Sequence, residues 1–296
     1  SMPVAFGEKL VIRIFDPMKL LCDLSELGFD PTQRGEFDGF LGRRSGLILV
    51  TGPTGSGKTT TLYSTLRHLA GPDVNIVTIE DPIEMVVEDF NQVLVQRKID
   101  LDFANAMRSI LRQDPDIIML GEIRDAESAK MAIQAAQTGH LVLATVHTND
   151  SASAITRLRD LEVPSFLISS TLVGVIAQRL VRMVCEGCAF STELTLDEAS
   201  ALDIVIPDGA ATRLPVRRGK GCPRCRETGL FGRIGVFEVF PVTQTIRQLI
   251  RDDADAKVIY KSARTDGMVS LRESAIRQLA EGRTQFDEVI RVLGQE

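Results

Sequence analysis

Apolar positions along this chain fall into short, unbroken blocks separated by longer stretches with helical spacing. Residues 47–50, 75–79, 117–120 and 141–146 are each four to six residues long and rich in Val, Ile and Leu. Blocks of this kind suit strands buried on both faces, as in a parallel sheet. The intervening segments are long enough for crossovers, so residues 46 to 144 predict an α/β domain with ligands at the strand C-termini. Upstream, residues 7–15 read as one strand, the end of a domain that begins elsewhere. Leu20, Leu21, Leu24 and Leu27 then keep helical spacing up to Gly28, with Cys22 as a small buried apolar residue on that helix. Downstream, residues 151–182 read as helical with a break at Pro164, and residues 228–240 as a hairpin or strand. Helices are expected over 243–251, 254–265, 270–281 and 284–293, with Ser270 and Thr284 as N-caps.

The first block runs into Gly52-Pro53-Thr54-Gly55-Ser56-Gly57-Lys58-Thr59, and residues 59–69 after it contain neither Pro nor Gly. Strand, glycine loop and helix together make a phosphate cradle. Glycines let backbone N–H groups turn inward, and the helix N-terminus adds positive potential. Lys58 reaches the outer phosphates, and Thr59, followed by Thr60, can hold Mg²⁺. The motif in this context reads as a nucleoside triphosphate site.

Further chemistry falls at the ends of the other blocks. After the second come Glu80-Asp81-Pro82-Ile83-Glu84, three carboxylates that fit either a Mg²⁺ or water site or a charged surface turn. The third ends in Gly121-Glu122-Ile123-Arg124-Asp125, and its acid, Glu122, stands where a carboxylate can hold Mg²⁺ or polarise a water. The fourth is flanked by His140 and His147. Seven residues apart on an extended segment, they cannot share one metal. His147 lies on the nucleotide side, and from spacing alone it fits a structural histidine or a γ-phosphate sensor.

Composition narrows the setting. Of 296 residues, 44% are hydrophobic and 25% charged, with a net charge of −6, so no global basic field recruits nucleic acid. No apolar run reaches the roughly 18 residues of a bilayer span. Ser1-Met2 reads as a cloning remnant ahead of a truncated start. Four of five cysteines form two C-x-x-C pairs, Cys185 with Cys188 and Cys222 with Cys225. That is the ligand set of a structural Zn²⁺; disulfides are the rival, disfavoured in a reducing compartment.

Taken together, these motifs resemble the secretion ATPase superfamily that drives type II secretion and type IV pilus assembly. Four landmarks carry the resemblance: the Walker A loop, an acidic box over 78–84, a Walker B region over 112–125, and a histidine box from His140 to His147. The tetracysteine pattern is similar to that of type II secretion and pilus extension ATPases. The resemblance implies an α/β fold with a RecA-like P-loop ATPase domain, a small zinc-binding insertion and a helical C-terminal module. It divides the chain into 1–41 (end of an N2 domain and linker), 42–182 (ATPase domain), 183–232 (zinc arm) and 233–296 (helical module).

It also implies ATP hydrolysis with Glu122 as the Walker B acid, Glu80 positioning Mg²⁺ or water, and His147 sensing the γ-phosphate. Arg13 would neutralise transition-state charge. A hexameric ring acting on an inner-membrane platform protein from the cytoplasmic side is implied, with membrane association only through partners. With most of N2 missing, poor hexamerisation and slow turnover are expected. Residues 98–103 depart from the family at Asp100 and Asp102, where glycine and threonine are expected. A nucleic-acid motor is disfavoured by the acidic charge and by the absence of Trp with only two Tyr. A non-hydrolysing scaffold is disfavoured by the presence of both Glu80 and Glu122.

Overall fold

The computed structural model describes residues 2–11, 22–204 and 214–294. Its centre is a seven-stranded sheet. Strand β3 (Gly46–Thr51) pairs in parallel with β7 (Leu141–Val146) on one side and β8 (Leu172–Val184) on the other. Beyond β7 come β6 (Ile117–Leu120), β4 (Ile76–Glu80) and β5 (Asn91–Leu94), all parallel. Beyond β8 lies β11 (Leu230–Pro241), antiparallel at the edge. Leu47, Ile48, Leu49 and Val50 are fully buried, each stabilising the fold by about 1.5–3 kcal/mol.

Helices cover both faces, as a parallel sheet requires. One apolar core joins the sheet to α3 (Phe103–Ile110), α4 (Ala126–Gln137), α5 (Ser151–Asp160), α6 (Ser165–Thr171), α8 (Gln244–Arg251) and α9 (Ala256–Thr265). The core on the other face includes α1 (Pro31–Leu41) and α2 (Lys58–Leu69). A third core lies where α10 (Leu271–Ala280) and α11 (Phe286–Leu293) meet an arm built from β9 (Ala189–Glu193), α7 (Leu196–Ala201) and β10 (Pro215–Gly219). Strands β9 and β10 pair antiparallel.

The four expected strands form where their apolar blocks predict, but other expectations change. Much of the stretch expected as helix over 151–182 is strand: α6 ends at Thr171 and β8 starts at Leu172 without an intervening turn. Residues 230–241 join the same sheet. The expected strand at 7–15 is a small hairpin in its described part, β1 (Met2–Val4) against β2 (Gly7–Lys9). Of the leucine-spaced helix near 20–27, the described part contains one 3₁₀ turn, Leu24–Glu26. The full helix α1 follows it, started by an Asp30–Gln33 capping box and Pro31. Ser270 caps α10 as expected. Thr284 caps nothing: its hydroxyl donates to the Arg182 carbonyl and Gln285 stands at the cap position. Cys22 is half-buried, 3.5 Å from the Ser64 hydroxyl.

Helix α1 packs so closely on β8 that a Cβ at Gly174 would lie 2.3 Å from the Phe40 ring. Gly174→Ala is therefore expected to cost about 1–3 kcal/mol through overpacking, read as a lower urea midpoint. An unchanged midpoint would contradict this packing.

Candidate active site

The nucleotide-type loop leaves the C-terminal end of β3 and enters α2 at Lys58. Glycine is required at its two ends. Gly52 has φ +146°, and a Cβ there would strike the Gln178 carbonyl at 2.4 Å; Gly57, at φ +91°, is the left-handed residue before α2. The loop is clamped from β8. Gln178 donates through Nε2 to the Ser56 carbonyl (2.8 Å) and accepts from the Thr61 hydroxyl (2.8 Å). Within the loop, Lys58 Nζ donates to the carbonyls of Gly52 (2.8 Å) and Pro53 (3.1 Å). Burial is the main cause holding the Lys58 ammonium below its ordinary pKa, with Glu122 opposing. The Ser56 hydroxyl is buried without a hydrogen-bond partner in the described structure, an orphaned polar group inside a loop of inward-turned backbone. A phosphate would use both the ammonium and the hydroxyl.

Beside the loop, a cleft of roughly 100 Å³ is lined by Thr59, Glu80, Asp81, Glu84, Glu122 and Arg124, among others. It has room for an ion with a few waters. Three residues expected to handle Mg²⁺ (Thr59, Glu80 and Glu122) thus border one space. Their states differ. Glu80 is 3% exposed and both its oxygens are occupied. Tyr63 donates its hydroxyl to Oε2, while Thr78 (2.6 Å) and Gln92 (3.0 Å) donate to Oε1. The surface-turn reading therefore fails for Glu80. Burial and the Glu80 carboxylate together push the Tyr63 phenol above its ordinary pKa, so it stays a donor.

Glu122 is also held at both oxygens, by charged or chargeable partners. Arg124 Nε lies 2.6 Å from Oε2, and His147 Nε2 lies 3.2 Å from Oε1. Arg124 also reaches Asp81 at 3.7 Å. The hydrogen bond that Arg124 donates to Glu122 is the chief reason its guanidinium sits above its ordinary pKa. The residue after His147 ties the end of β7 to the end of β3: the Thr148 N–H donates to Thr51 Oγ1 at 2.9 Å. His140 lies at the other end of β7, bonded through Nδ1 to the Ala135 carbonyl (3.0 Å).

Arg13 lies outside the described residues. Arg124 and the Gln178 clamp were not assigned roles from sequence. Arg124 stands two positions after Glu122, which places both on one side of an extended segment. Gln178 was hidden by the helical reading of β8.

Far along the chain, the four paired cysteines converge. Their sulfurs all lie within 4.8 Å of one another, with Cys185–Cys222 and Cys188–Cys225 at 3.8 Å and Cys222–Cys225 at 3.7 Å. No disulfide joins them. A tetrahedral ion with metal–sulfur bonds of about 2.3 Å sets its sulfurs about 3.8 Å apart, so the cluster is shaped for a metal.

Comparison with known proteins agrees with this geometry. The family described as "Type II/IV secretion system protein" matches residues 1–291. The type IV pilus assembly ATPase TfpB of Acinetobacter baylyi is 47% identical over 99% of this chain and 50% of its own length. Type II secretion system protein E of Pseudomonas aeruginosa is 43% identical over the whole chain and 58% of its own length. The chain thus spans about half the length of these relatives. Among solved structures, the pilus retraction motor PilT with bound ADP superposes with a TM-score of 0.64 at 28% identity. It covers 92% of this chain and 67% of PilT.

Burial first, and Lys58 next, hold the His147 imidazole below its ordinary pKa, while Glu122 pulls the other way. The ring is therefore neutral at pH 7. Glu122→Gln should lower its pKa further and Lys58→Ala should raise it, read by NMR titration of a chain with three histidines. A value unmoved by both substitutions would contradict the contacts described.

Proposed function

This chain belongs to the type II/IV secretion system protein family, and on that footing we propose that it hydrolyses ATP to ADP and phosphate to power assembly of a pseudopilus for type II secretion. The observation that carries this reading is the convergence of Thr59, Glu80 and Glu122 on one cleft beside the glycine loop at the strand ends. A second reading, type IV pilus extension, is favoured by the 47% identity to TfpB.

In this mechanism Lys58 leaves the Gly52 and Pro53 carbonyls for the β- and γ-phosphates, while the loop N–H groups of Gly52 and of Thr54 to Thr60 cradle them, Pro53 having none. Thr59 with Glu122 would hold Mg²⁺, which supplies charge neutralisation on the phosphate oxygens. Glu122 must exchange its bond to Arg124 for that task. Glu80, fixed by three donors, orients the attacking water from a carboxylate that cannot swing. His147, neutral and beside both Glu122 and the loop, reads the γ-phosphate. Arg13 is proposed, from the resemblance alone, to meet developing negative charge.

Zn²⁺ is the proposed occupant of Cys185, Cys188, Cys222 and Cys225, with a structural role because all four positions are protein sulfur. It would tie the end of β8 to the start of β11 and so anchor the arm. The working assembly is proposed as a homo-hexameric ring at the cytoplasmic face of the inner membrane, acting on a platform protein and not on nucleic acid. The relatives' names support a role in a secretion or pilus machine and the net charge of −6 weighs against nucleic acid, while the ring, the membrane face and the platform protein rest on the resemblance alone.

Phosphate release from ATP should require Mg²⁺ and fall at least about 100-fold in Lys58→Ala and in Glu122→Gln. Equal release by all three proteins would overturn the reading. Metal analysis of the same samples should find about one zinc per chain, lost in a Cys222→Ser/Cys225→Ser double variant along with thermal stability. Zinc-free protein of undiminished stability would remove the metal from the account.

A further inference from the structure

Two adjoining clefts open at the opposite end of β3 from the nucleotide loop. The first, about 410 Å³, is lined by Arg43, Ser45, Gln137 and Arg247, among others; the second, about 290 Å³, shares Arg43 and Arg247. Gly46, the first residue of β3, borders the larger cleft, and Gly52 follows the last. Six strand residues rise about 20 Å, so the clefts are separate from the nucleotide site.

These clefts gather positive charge that no described carboxylate pairs with. Arg247 and Arg251 stand one turn apart on α8, and both hold the Ser169 residue: Arg247 donates to its carbonyl and Arg251 to its hydroxyl, at 3.3 Å. The Arg43 side chain, at the end of α1, is exposed. Among the described residues, no carboxylate forms an ion pair with Arg43, Arg247 or Arg251. Nearby Arg159 shows the usual arrangement, with Asp253 at 3.6 Å and two carbonyls as acceptors. Glu36 also borders the second cleft, where burial, with Asp30 adding to it, raises its carboxyl above the ordinary range, and it forms no ion pair with Arg43 or Arg247 among the described residues. Half-burial, followed by Arg43 and Arg251, pushes the Arg247 guanidinium below its ordinary pKa. Like charges in a partly desolvated cleft repel one another unless an anion sits between them.

We propose that this cleft is a binding site for a small oxyanion presenting phosphate or carboxylate oxygens, gripped by the guanidinium forks of Arg43 and Arg247. Planar guanidinium groups match both kinds of oxyanion in paired hydrogen bonds, and a cleft of this size suits a small molecule. Ser45 and Gln137 line the wall facing the same space. The site is independent of the ATPase proposal, since none of its residues touches the nucleotide loop.

Calorimetric titration with pyrophosphate and, separately, with citrate tests it, using the unsubstituted protein, Lys58→Ala, Arg43→Glu and Arg247→Gln. Binding should persist in Lys58→Ala and weaken about tenfold or more in each arginine variant, as loss of a charge-assisted contact implies. Among the described residues the Arg43 side chain makes no hydrogen bond, so Arg43→Glu should not lower the melting temperature and its result stands even if Arg247→Gln misfolds. Response to pyrophosphate alone assigns a phosphate ligand, and response to citrate alone a carboxylate ligand; both support the site. Binding unaltered by the arginine variants, binding abolished by Lys58→Ala, or no saturable binding of either anion would overturn it.

Discussion

Everything at the site depends on one constraint: β3 is hydrogen-bonded along both edges and buried on both faces. All six of its residues pair with β7, Leu47 to Thr51 pair with β8 across one register shift between Leu47 and Ile48, and the loop that follows can leave only from its C-terminal end. The neighbours then place the chemistry. Glu80 ends β4, Glu122 follows β6, His147 follows β7, and Gln178 on β8 fastens the loop. A parallel sheet points these ends the same way, so residues from Gly52 to Gln178 gather at one end of the sheet. Losing the register of β3 would scatter them all.

The charged groups at this cleft are mutually satisfied in the structure described. Lys58 is spent on loop carbonyls, and Glu122 on Arg124 and His147. Glu80 is different, because its partners are neutral donors packed around a nearly inaccessible carboxylate. The first set can exchange partners when a multiply charged ligand arrives; the second is built to stay. In the proposed reaction that contrast would separate groups that move from the one that stays fixed.

Much of this was legible in the residues. Blocks such as Ile117–Leu120 and Leu141–Val146 announce their strands because burial on both faces removes any alternation. The glycine loop is legible because its geometry tolerates few alternatives. Strand β8 was not, for two physical reasons. Helix α6 runs straight into it with no turn residue to mark the change, and Gln178 and Arg179 interrupt its apolar run. Both polar side chains are buried there because they have work to do: Gln178 clamps the loop and Arg179 donates to the Asn149 carbonyl (2.9 Å). Strand β5 was missed because it is an edge strand with partly exposed, polar residues. The cysteine cluster was foreseen from spacing alone, yet its arm, in its described residues a β-ribbon with one short helix, carries no comparable local signal.

The central claim is that this sheet end takes a nucleoside triphosphate by trading internal contacts for phosphate contacts. The most direct measurement is a crystal structure with Mg²⁺ and a non-hydrolysable ATP analogue. The account predicts Lys58 on the β- and γ-phosphates, released from the Gly52 and Pro53 carbonyls, with Glu122 parted from Arg124 and Glu80 still bonded to Tyr63, Thr78 and Gln92. An analogue bound elsewhere, or one bound at the loop with Lys58 and Glu122 keeping their present partners, would contradict it.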